Sequence, residues 1–322
     1  MAYRSLVTGA GGFIGANLVR ALLRQGDEVH VFLRPGSSLS WRLKSVLPKL
    51  CVHEVDIRES EKIKAVIKLA KPERVFHLAH YGGNRGETDG AEIRRVIIDG
   101  TASLYEGCLE TGDVRAIIHA GTSSEYGVAK EAMREDMPLA PHTEYGLAKA
   151  WATLYGQHLA REKKLPIVTM RLFAVYGPYE AMTRLVPAAI LAGLRNATLF
   201  MPDPQAVRDF IHVDDCVAVM LDVADRLAGN PGSPLVGEVF NIGSGVQETI
   251  MKMAQTIGDA LSKELSIERG TLSPRTSEVP FWQADMCHTQ AVLGWKPSLS
   301  LPQGVAKTVE WFTHHLDDYD AI

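Results

Sequence analysis

Apolar positions in the first half of the chain follow two periods. Short apolar runs bounded by turn residues predict buried strands, and longer stretches with apolar residues three or four positions apart predict amphipathic helices. The predicted strands are 3–7, 28–33, 51–55, 74–78, 115–119 and 167–172, and the predicted helices are 13–24, 59–70, 91–110 and 145–161. Strands that alternate with helices in this way predict the α/β class, with a Rossmann-type doubly wound parallel sheet.

This alternation loosens after residue 173. One more buried strand is predicted at 238–242, where the chain returns to the sheet. The helices predicted in this part are 184–194, 217–227, 247–261 and 302–316. The predicted domains are a Rossmann domain of residues 1–173, with 209–243 returning to it in part, and a smaller C-terminal α/β lobe of residues 174–208 and 244–322.

Composition fits a soluble globular protein, with 46% apolar and 22% charged residues in a chain of 322. The net charge is −4 and basic residues form no block, so we expect neither nucleic acid nor an anionic membrane as a partner. No apolar run reaches membrane-spanning length, and the N-terminus leads into a strand without a signal-like segment. These features predict a cytoplasmic protein.

Four cysteines, Cys51, Cys108, Cys216 and Cys287, lie far apart in the sequence and lack the spacing of metal ligands. We expect free thiols in a reducing compartment and no metal site.

A glycine-rich turn follows the first predicted strand and precedes the first helix. Gly9 allows a tight turn, Gly12 lets the backbone approach a pyrophosphate, and Gly15 lets the helix pack closely on the sheet. The N-terminus of the helix then offers free N–H groups to an anion. The spacing is G-x-x-G-x-x-G rather than G-x-G-x-x-G. It predicts a dinucleotide site, with an ordinary glycine-rich turn as the alternative.

The residue that ends the second strand distinguishes the two nicotinamide dinucleotides. An acidic residue there would bind a free 2′-hydroxyl of NAD, but this chain has Arg34, followed by Ser37, Ser38 and Arg42. Arginine and hydroxyl groups suit a 2′-phosphate, which slightly favours NADP(H) over NAD(H). Alternatively, Arg34 stacks on the adenine or is only solvated. Asp56, after the third strand, can reach the adenine amino group.

A tyrosine and a lysine, Tyr145 and Lys149, lie four residues apart on a predicted helix and therefore on one face of it. A nearby ammonium group favours the phenolate form of a tyrosine, which would otherwise be a poor base at neutral pH. Hydroxyl groups at Thr122, Ser123 and Ser124 end the fifth strand, just before this helix. A hydroxyl at that position can hydrogen-bond a substrate oxygen whose proton the tyrosine moves.

These segments together resemble the extended short-chain dehydrogenase/reductases, in particular the NAD(P)-dependent epimerase/dehydratase family that acts on nucleotide sugars. The resemblance covers essentially the whole chain. The matching segments are Thr8–Gly15, Asp56–Ile57, His77–Ala79, Thr122–Gly127, Tyr145–Lys149, Arg171–Pro178, Arg208–Asp215, Phe240–Gly243 and Leu293–Pro297.

The resemblance implies roles for single residues, an NAD(P)-binding first domain and a substrate-binding second lobe. Tyr145 would be the acid/base, Thr122 the catalytic hydroxyl and Lys149 their cationic partner. The cofactor-binding residues would be Gly9, Gly12, Phe13, Ile14, Gly15, Arg34, Asp56, Ile57, Leu78, Ala79, Tyr145 and Lys149. The substrate-binding residues would be His80, Ser123, Ser124, Glu125, Arg208 and Arg275, of which Arg208 would grip the substrate diphosphate.

Some positions depart from the family pattern. Related 4,6-dehydratases have Asp-Glu directly after the catalytic threonine, where this chain has Ser123 and Ser124, and a serine is too weak an acid to assist water elimination. Glu125 comes one position later, which keeps a dehydratase open as an alternative. Ile97 and Ala174 replace asparagines that many relatives have.

The leading hypothesis is redox chemistry at C4 of a nucleoside-diphosphate sugar, by a 4-epimerase that retains NAD or a 4-ketoreductase that exchanges NADPH. The alternatives are a dehydratase that uses Glu125, a reductase of a non-nucleotide ketone, and a non-catalytic NAD(P)-binding protein of the same fold. The resemblance also implies a homodimer, joined through the helices at 91–110 and 145–161.

Overall fold

The structure, a computed structural model, describes residues 2–36, 41–84, 86–270 and 281–320. Its strands are β1 (Arg4–Thr8), β2 (Glu28–Leu33), β3 (Cys51–Glu54), β4 (Arg74–His77), β5 (Ala116–Thr122), β6 (Ile167–Leu172), β7 (Ala174–Tyr176), β8 (Leu199–Met201), β9 (Val207–His212), β10 (Val239–Ile242), β11 (Gln247–Thr249) and β12 (Ile267–Arg269). The first six and β10 are the seven strands expected for the main sheet.

All eight predicted helices are present with their ends within four residues of the prediction, whereas the short helices Cys287–Leu293 and Leu316–Asp320 were not predicted. They are α1 (Phe13–Gln25), α2 (Ser60–Ala70), α3 (Gly90–Ile93), α4 (Gly100–Thr111), α5 (Glu144–Lys163), α6 (Leu185–Arg195), α7 (Val213–Gly229), α8 (Ile250–Leu261), α9 (Cys287–Leu293), α10 (Leu301–His314) and α11 (Leu316–Asp320). A π-helical segment, Arg94–Asp99, joins α3 to α4 and contains the buried Ile97.

The central sheet has the strand order β10-β6-β5-β4-β1-β2-β3, and the first six strands of the chain pair in parallel. The predicted Rossmann-type sheet is therefore confirmed. The chain order reverses between β1 and β4, the position where open parallel sheets bind ligands beyond their strand ends. Thr8 at the end of β1 lies opposite His77 at the end of β4, so the loops after these strands begin side by side.

One face of this sheet carries a hydrophobic core. The buried residues Phe32 and Ile117 of the sheet pack with Ile63 and Ile67 of α2 and with Leu104 of α4. Burying aliphatic and aromatic side chains of this size stabilises the fold by about 1.5–3 kcal/mol each. This core therefore holds α2 and α4 against the sheet.

The chain forms two compact units, one of residues 1–127, 138–172 and 217–240, and the other of residues 128–137, 173–216 and 241–322. The predicted division at residue 173 lies at the boundary of these units. The structure differs from the prediction in two places, because 128–137 belongs to the second unit and the returning segment is 217–240 rather than 209–243.

The three-residue strands β7, β8, β11 and β12 of the second unit were not predicted. β11, β9 and β7 form one sheet, and β12 pairs with β8. The predicted helix at 247–261 begins only at Ile250, because Gln247–Thr249 pairs antiparallel with β9 and Thr249 caps the helix through the Lys252 N–H. Among the described residues, no helix has both the length and the apolar character needed to span a membrane.

Candidate active site

The glycine turn after β1 is sterically restricted to glycine at two positions. Gly9 has a φ of +70°, and a Cβ there would lie 2.7 Å from the backbone nitrogen of Ala79. A Cβ on Gly15 would lie 2.2 Å from the Gly9 carbonyl oxygen. Gly12 caps α1 with extended backbone and no side-chain cap, and the first turn of the helix has no acidic residue. The turn therefore offers a backbone surface and a helix N-terminus suited to a pyrophosphate.

A hydrogen-bonded chain that sequence reasoning missed lies beside this turn. The Thr8 hydroxyl accepts from the Ala79 N–H at 3.2 Å and bonds His77 Nδ1 at 2.7 Å, while His77 Nε2 bonds the hydroxyl of Thr101 at 2.8 Å. Burial and then the nearby charge of Lys149 lower the pKa of His77 to about 3, so this imidazole is neutral. These hydrogen bonds hold the backbone of Leu78 and Ala79 beside Gly9. Their signal in the sequence was the pairing of polar residues at the ends of neighbouring strands.

Two charged groups lie where β2 and β3 end. Arg34 is exposed, and Asp56 bonds the Arg58 guanidinium, with Nη2 to Oδ2 at 2.6 Å. The hydrogen bonds and charge of Arg58, with a smaller effect of Arg34, lower the pKa of Asp56. Asp56 is thus an ionised carboxylate already held by an arginine, and neighbouring Ile57 is half-buried. Ser37 and Ser38 lie outside the described residues.

Thr122 forms a reciprocal cap at the end of β5. Its hydroxyl oxygen accepts from the Ser124 N–H at 3.2 Å, and Glu125 Oε1 accepts from the Thr122 N–H at 2.8 Å. A hydroxyl has one donor hydrogen and two acceptor lone pairs, so accepting from Ser124 leaves the proton of Thr122 available for a ligand oxygen. The T-x-x-E spacing of a capping box was the signal in the sequence for this arrangement.

Glu125 does not have the position expected of a substrate-binding residue. Its side chain is fully buried, and Oε2 accepts from Thr153 Oγ1 and from Arg171 Nε, each at 2.9 Å. Arg171 also donates to the Tyr126 hydroxyl at 2.9 Å. Oε1 is held by the Thr122 N–H and Oε2 by Thr153 and Arg171, so Glu125 fixes the turn that carries Thr122, and the structure does not place it where it was expected to contact substrate.

The helix α5 approaches this turn closely at Gly146. A Cβ at Gly146 would lie 2.6 Å from the backbone oxygen of Ser124. Thr143 caps the helix by accepting from the Gly146 N–H at 3.0 Å. The glycine inside the Tyr145–Lys149 motif therefore lets the first turn of α5 contact the turn that carries Thr122.

Lys149 is a buried cation in the first unit, with only 2% of its surface exposed. Its Nζ donates to the Ala120 carbonyl at 2.9 Å. Burial lowers the pKa of Lys149 to about 8, against an opposing effect of the Glu125 charge. Tyr145, one turn earlier on the same face, is half-buried. The i, i+4 spacing therefore places Tyr145 and Lys149 one turn apart on the same side of α5.

The loop after β4 borders Tyr145. The ring of His80 lies with its centroid 6.1 Å from that of Tyr145, and its Nδ1 is 3.1 Å from the Leu78 carbonyl oxygen. A Cβ on Gly83 would meet the His80 ring at 3.0 Å. The structure therefore brings His80 beside the predicted acid/base, whereas Ser123 of the predicted substrate set is buried and Ser124 is half-buried.

Arg208 lies in the second unit, over the ring of Trp282 at 5.6 Å, and donates to the Val207 carbonyl at 2.6 Å. The buried Asp209 organises the surrounding loops, accepting from the Ser244 N–H at 2.6 Å and from the Gly245 and Ala284 N–H groups at 3.0 Å each. Sequence reasoning missed Asp209 and Trp282, because their partners are distant in the chain. Arg275 lies outside the described residues.

Residues 5–243 match the model of the NAD dependent epimerase/dehydratase family. Since this match covers well over half of the chain, and the glycine turn, the Tyr145–Lys149 pair and the doubly wound sheet agree with it, the chain belongs to that family.

Individual relatives cover the chain almost completely. A UDP-glucose 4-epimerase of Mycolicibacterium smegmatis is 30% identical over 96% of this chain and 98% of its own length. A dTDP-glucose 4,6-dehydratase of Neisseria gonorrhoeae is 26% identical over 95% and 94%. The solved structure of MoeE5 in complex with UDP-glucose and NAD is 28% identical, with a TM-score of 0.84 over 97% of this chain and 99% of that one.

Proposed function

We propose that this protein catalyses redox chemistry at C4 of a nucleoside-diphosphate sugar. The observation that carries the proposal is the close approach of α5 to the Ser123–Glu125 turn at Gly146, since it brings the helix of Tyr145 and Lys149 against the turn of Thr122. A tyrosine assisted by a lysine and facing a hydroxyl donor suits proton transfer at an alcohol or ketone oxygen.

Each of the three residues has a separate task. Tyr145 takes the proton from the C4 hydroxyl as the carbon is oxidised, and returns it when the carbon is reduced. The Thr122 O–H donates to the same oxygen and stabilises charge that develops on it. Lys149 holds a positive charge near the phenol and so favours its ionised form.

A nicotinamide dinucleotide fits the first unit. A side chain at Gly9 or Gly15 would collide with neighbouring backbone, so these glycines allow the tight turn that presents the N-terminus of α1 to the pyrophosphate, and Phe13 and Ile14 open that helix. The bound nicotinamide supplies the hydride acceptor and donor at C4. Arg34 at the end of β2 supports a slight preference for NADP(H), with Asp56 and Ile57 beside the adenine.

The 4-epimerase is the first candidate, because a relative aligned over 98% of its own length is a UDP-glucose 4-epimerase. Arg34 supports the second candidate, a 4-ketoreductase, since an arginine at that position suits exchangeable NADPH. The burial of Glu125 argues against a dehydratase, because a carboxyl group held by Arg171 and Thr153 is not available to move a substrate proton.

Arg208 supports a diphosphate-containing substrate, which we assign to the second unit, while the first unit takes the dinucleotide. We further propose a cytoplasmic homodimer. Its support is an apolar stripe on α5 with Leu147 and Leu154 58% and 55% exposed.

The first experiment identifies the cofactor. The purified protein is denatured, the released nicotinamide is assayed, and the apo-protein is titrated with NAD(H) and NADP(H). NAD(H) that co-purifies and resists exchange indicates an epimerase. An empty site that prefers NADPH indicates a ketoreductase and directs the search to 4-keto sugars.

A second experiment identifies the substrate class. UDP-, dTDP-, CDP- and GDP-hexoses are incubated with the loaded protein, and the 4-epimers are separated by chromatography. In parallel, the free nucleoside diphosphates are tested for a rise in melting temperature. If none of the four raises the melting temperature and no hexose is converted, the nucleotide-sugar proposal fails.

A further inference from the structure

Four side chains of metal-ligating type lie on one face of the edge strands β2 and β3. Side chains two residues apart on a strand point to the same face, so Glu28 and His30 share a face of β2, and Cys51 and His53 share a face of β3. His30 is the register partner of Cys51 in the parallel pair. The strand register therefore brings together two short sequences, E-x-H and C-x-H, from separate parts of the chain.

Three of these side chains have their ligand atoms close together. A carboxylate oxygen of Glu28, a ring nitrogen of His30 and the sulfur of Cys51 all lie within 4.8 Å of one another. The Glu28 Oε1 to His30 Nε2 distance is 3.2 Å. Ligand atoms at about 2.0–2.3 Å from a tetrahedral zinc ion are themselves about 3–4 Å apart. Small side-chain rotations would therefore complete a three-ligand site.

His53 is positioned to orient His30. Its Nε2 lies 2.9 Å from His30 Nδ1, and the two rings stack at 5.2 Å with an interplanar angle of 8°. A histidine that binds a metal through one nitrogen usually donates its other N–H to a fixed acceptor, which sets the tautomer and the ring orientation. His53 Nε2 is such an acceptor, and His30 is only 6% exposed.

We propose that Glu28, His30 and Cys51 bind one zinc ion, with His53 as the outer partner of His30. Imidazole nitrogen, thiolate sulfur and carboxylate oxygen are all ligands that zinc accepts, and water would complete the tetrahedron. On binding, the Cys51 thiol releases its proton to solvent as the sulfur–zinc bond forms.

Without metal, the two histidines and Glu28 can satisfy one another. His30 Nε2–H then donates to Glu28, and His53 Nε2–H donates to His30 Nδ1. Zinc replaces the proton on His30 Nε2, so both rings exchange tautomers and His30 Nδ1–H donates to His53. The two histidines gain or lose no proton overall, so only the Cys51 proton is released.

We expect the bound zinc ion to cross-link β2 to the edge strand β3. Local spacing in the sequence does not reveal this site, because each strand contributes only part of the ligand set. The site lies on residues that the proposed catalysis does not use, so its presence or absence is independent of that function.

The test uses the full chain without an affinity tag, stripped of metal with a chelator and then titrated with Zn²⁺ by calorimetry and with Co²⁺ by absorption. We expect one equivalent of each ion, a thiolate-to-cobalt charge-transfer band, and a higher melting temperature with zinc. Cys51→Ser should remove the band and weaken zinc binding at least about tenfold. Cys287→Ser is the matched control, since Cys287 is also an exposed free thiol, and should change neither.

A second variant, His53→Phe, weakens zinc binding while it leaves the cobalt–thiolate band in place, because it keeps an aromatic ring but removes the acceptor that orients His30. Melting of each metal-free variant confirms that it is folded. No zinc binding by the wild-type chain, or equal binding by Cys51→Ser and Cys287→Ser, would overturn the proposal.

Discussion

Neighbouring residues at the end of β5 have opposite environments. Thr122 is half-buried with its hydroxyl proton available, whereas Glu125 is fully buried and paired with Arg171. In water a carboxylate is a stronger general base than a neutral hydroxyl group. Burial and the ion pair with Arg171 make the Glu125 carboxylate inaccessible to a substrate. At the scale of residues, function is therefore set by which group the fold leaves accessible.

Tyr145→Phe tests the proposed acid/base. Removing the phenol should lower kcat by about 10²- to 10⁴-fold, because proton transfer at the substrate oxygen loses its positioned group. Cofactor affinity, measured by fluorescence titration, should fall far less than kcat, because the glycine turn and Lys149 of the cofactor-binding set remain. Tyr155→Phe, on the same helix, is the control and should retain activity. Full activity in Tyr145→Phe would favour a non-catalytic binding protein.

Glu125→Gln distinguishes a structural from a chemical role. Because it leaves Arg171 buried without its anionic partner, we expect the free energy of unfolding to fall by about 3–5 kcal/mol. Denaturant unfolding measures this change, and the exposed Glu131→Gln serves as control, since its pairing with Arg134 at 3.6 Å lies on the surface. Unchanged stability together with a complete loss of turnover would instead support a dehydratase that uses Glu125.

At the scale of elements, the sequence predicted the strands and helices of the Rossmann sheet well, because their apolar periods are long and their turns contain glycine. It did not predict β7, β8, β11 and β12, each of only three residues, too short to show a period. Thr249, for example, ends a strand and caps a helix within one residue, which no hydrophobic pattern reveals.

Local spacing in the sequence was enough to place Tyr145 and Lys149 on one helix, as the structure has them, while their chemical roles stay a prediction. The candidate site was not predictable where burial decides the role. Glu125 has the charge of a catalytic residue, and only its contacts with Thr153 and Arg171 show that it is enclosed. Asp209 holds N–H groups from Ser244 and Ala284, which lie 35 and 75 residues away in the chain.

Gly146→Ala tests whether the approach of α5 sets the site. The new Cβ would lie 2.6 Å from the Ser124 oxygen, so the helix must move away from the turn that carries Thr122. Since small misplacements of reacting groups are costly, we expect kcat to fall about 10- to 100-fold. Gly229→Ala is the control, because outside its own turn of helix no described atom lies within 4 Å of a Cβ at this position. Equal kcat values for both variants would contradict the proposal.

At the scale of the whole molecule, α5 has an exposed apolar face. Leu147 and Leu154 are 58% and 55% exposed and are separated by seven residues, and Trp151 lies between them on the same stripe. The inward side of the same helix packs on α3 and the π-helical segment, where Ala148 and Ala152 meet Ile93, Val96 and Ile97. One helix thus carries the proposed catalytic residues, a core face and an exposed apolar stripe.

The proposed homodimer assigns that stripe to a second copy of the chain, since large apolar side chains grouped on a surface commonly mark an interface. Leu154→Glu should therefore yield a monomer at micromolar concentration, measured by light scattering coupled to size-exclusion chromatography, because a dimer would bury its charge unpaired. Val292→Glu is the control, as Val292 is also an exposed apolar residue, 42% exposed, but lies on α9 in the other unit. A wild-type chain that is already monomeric, or a Leu154→Glu variant that stays dimeric, would contradict an interface through α5. If the monomeric variant keeps the turnover of the wild type, each copy carries a complete site, and the stripe serves assembly and not catalysis.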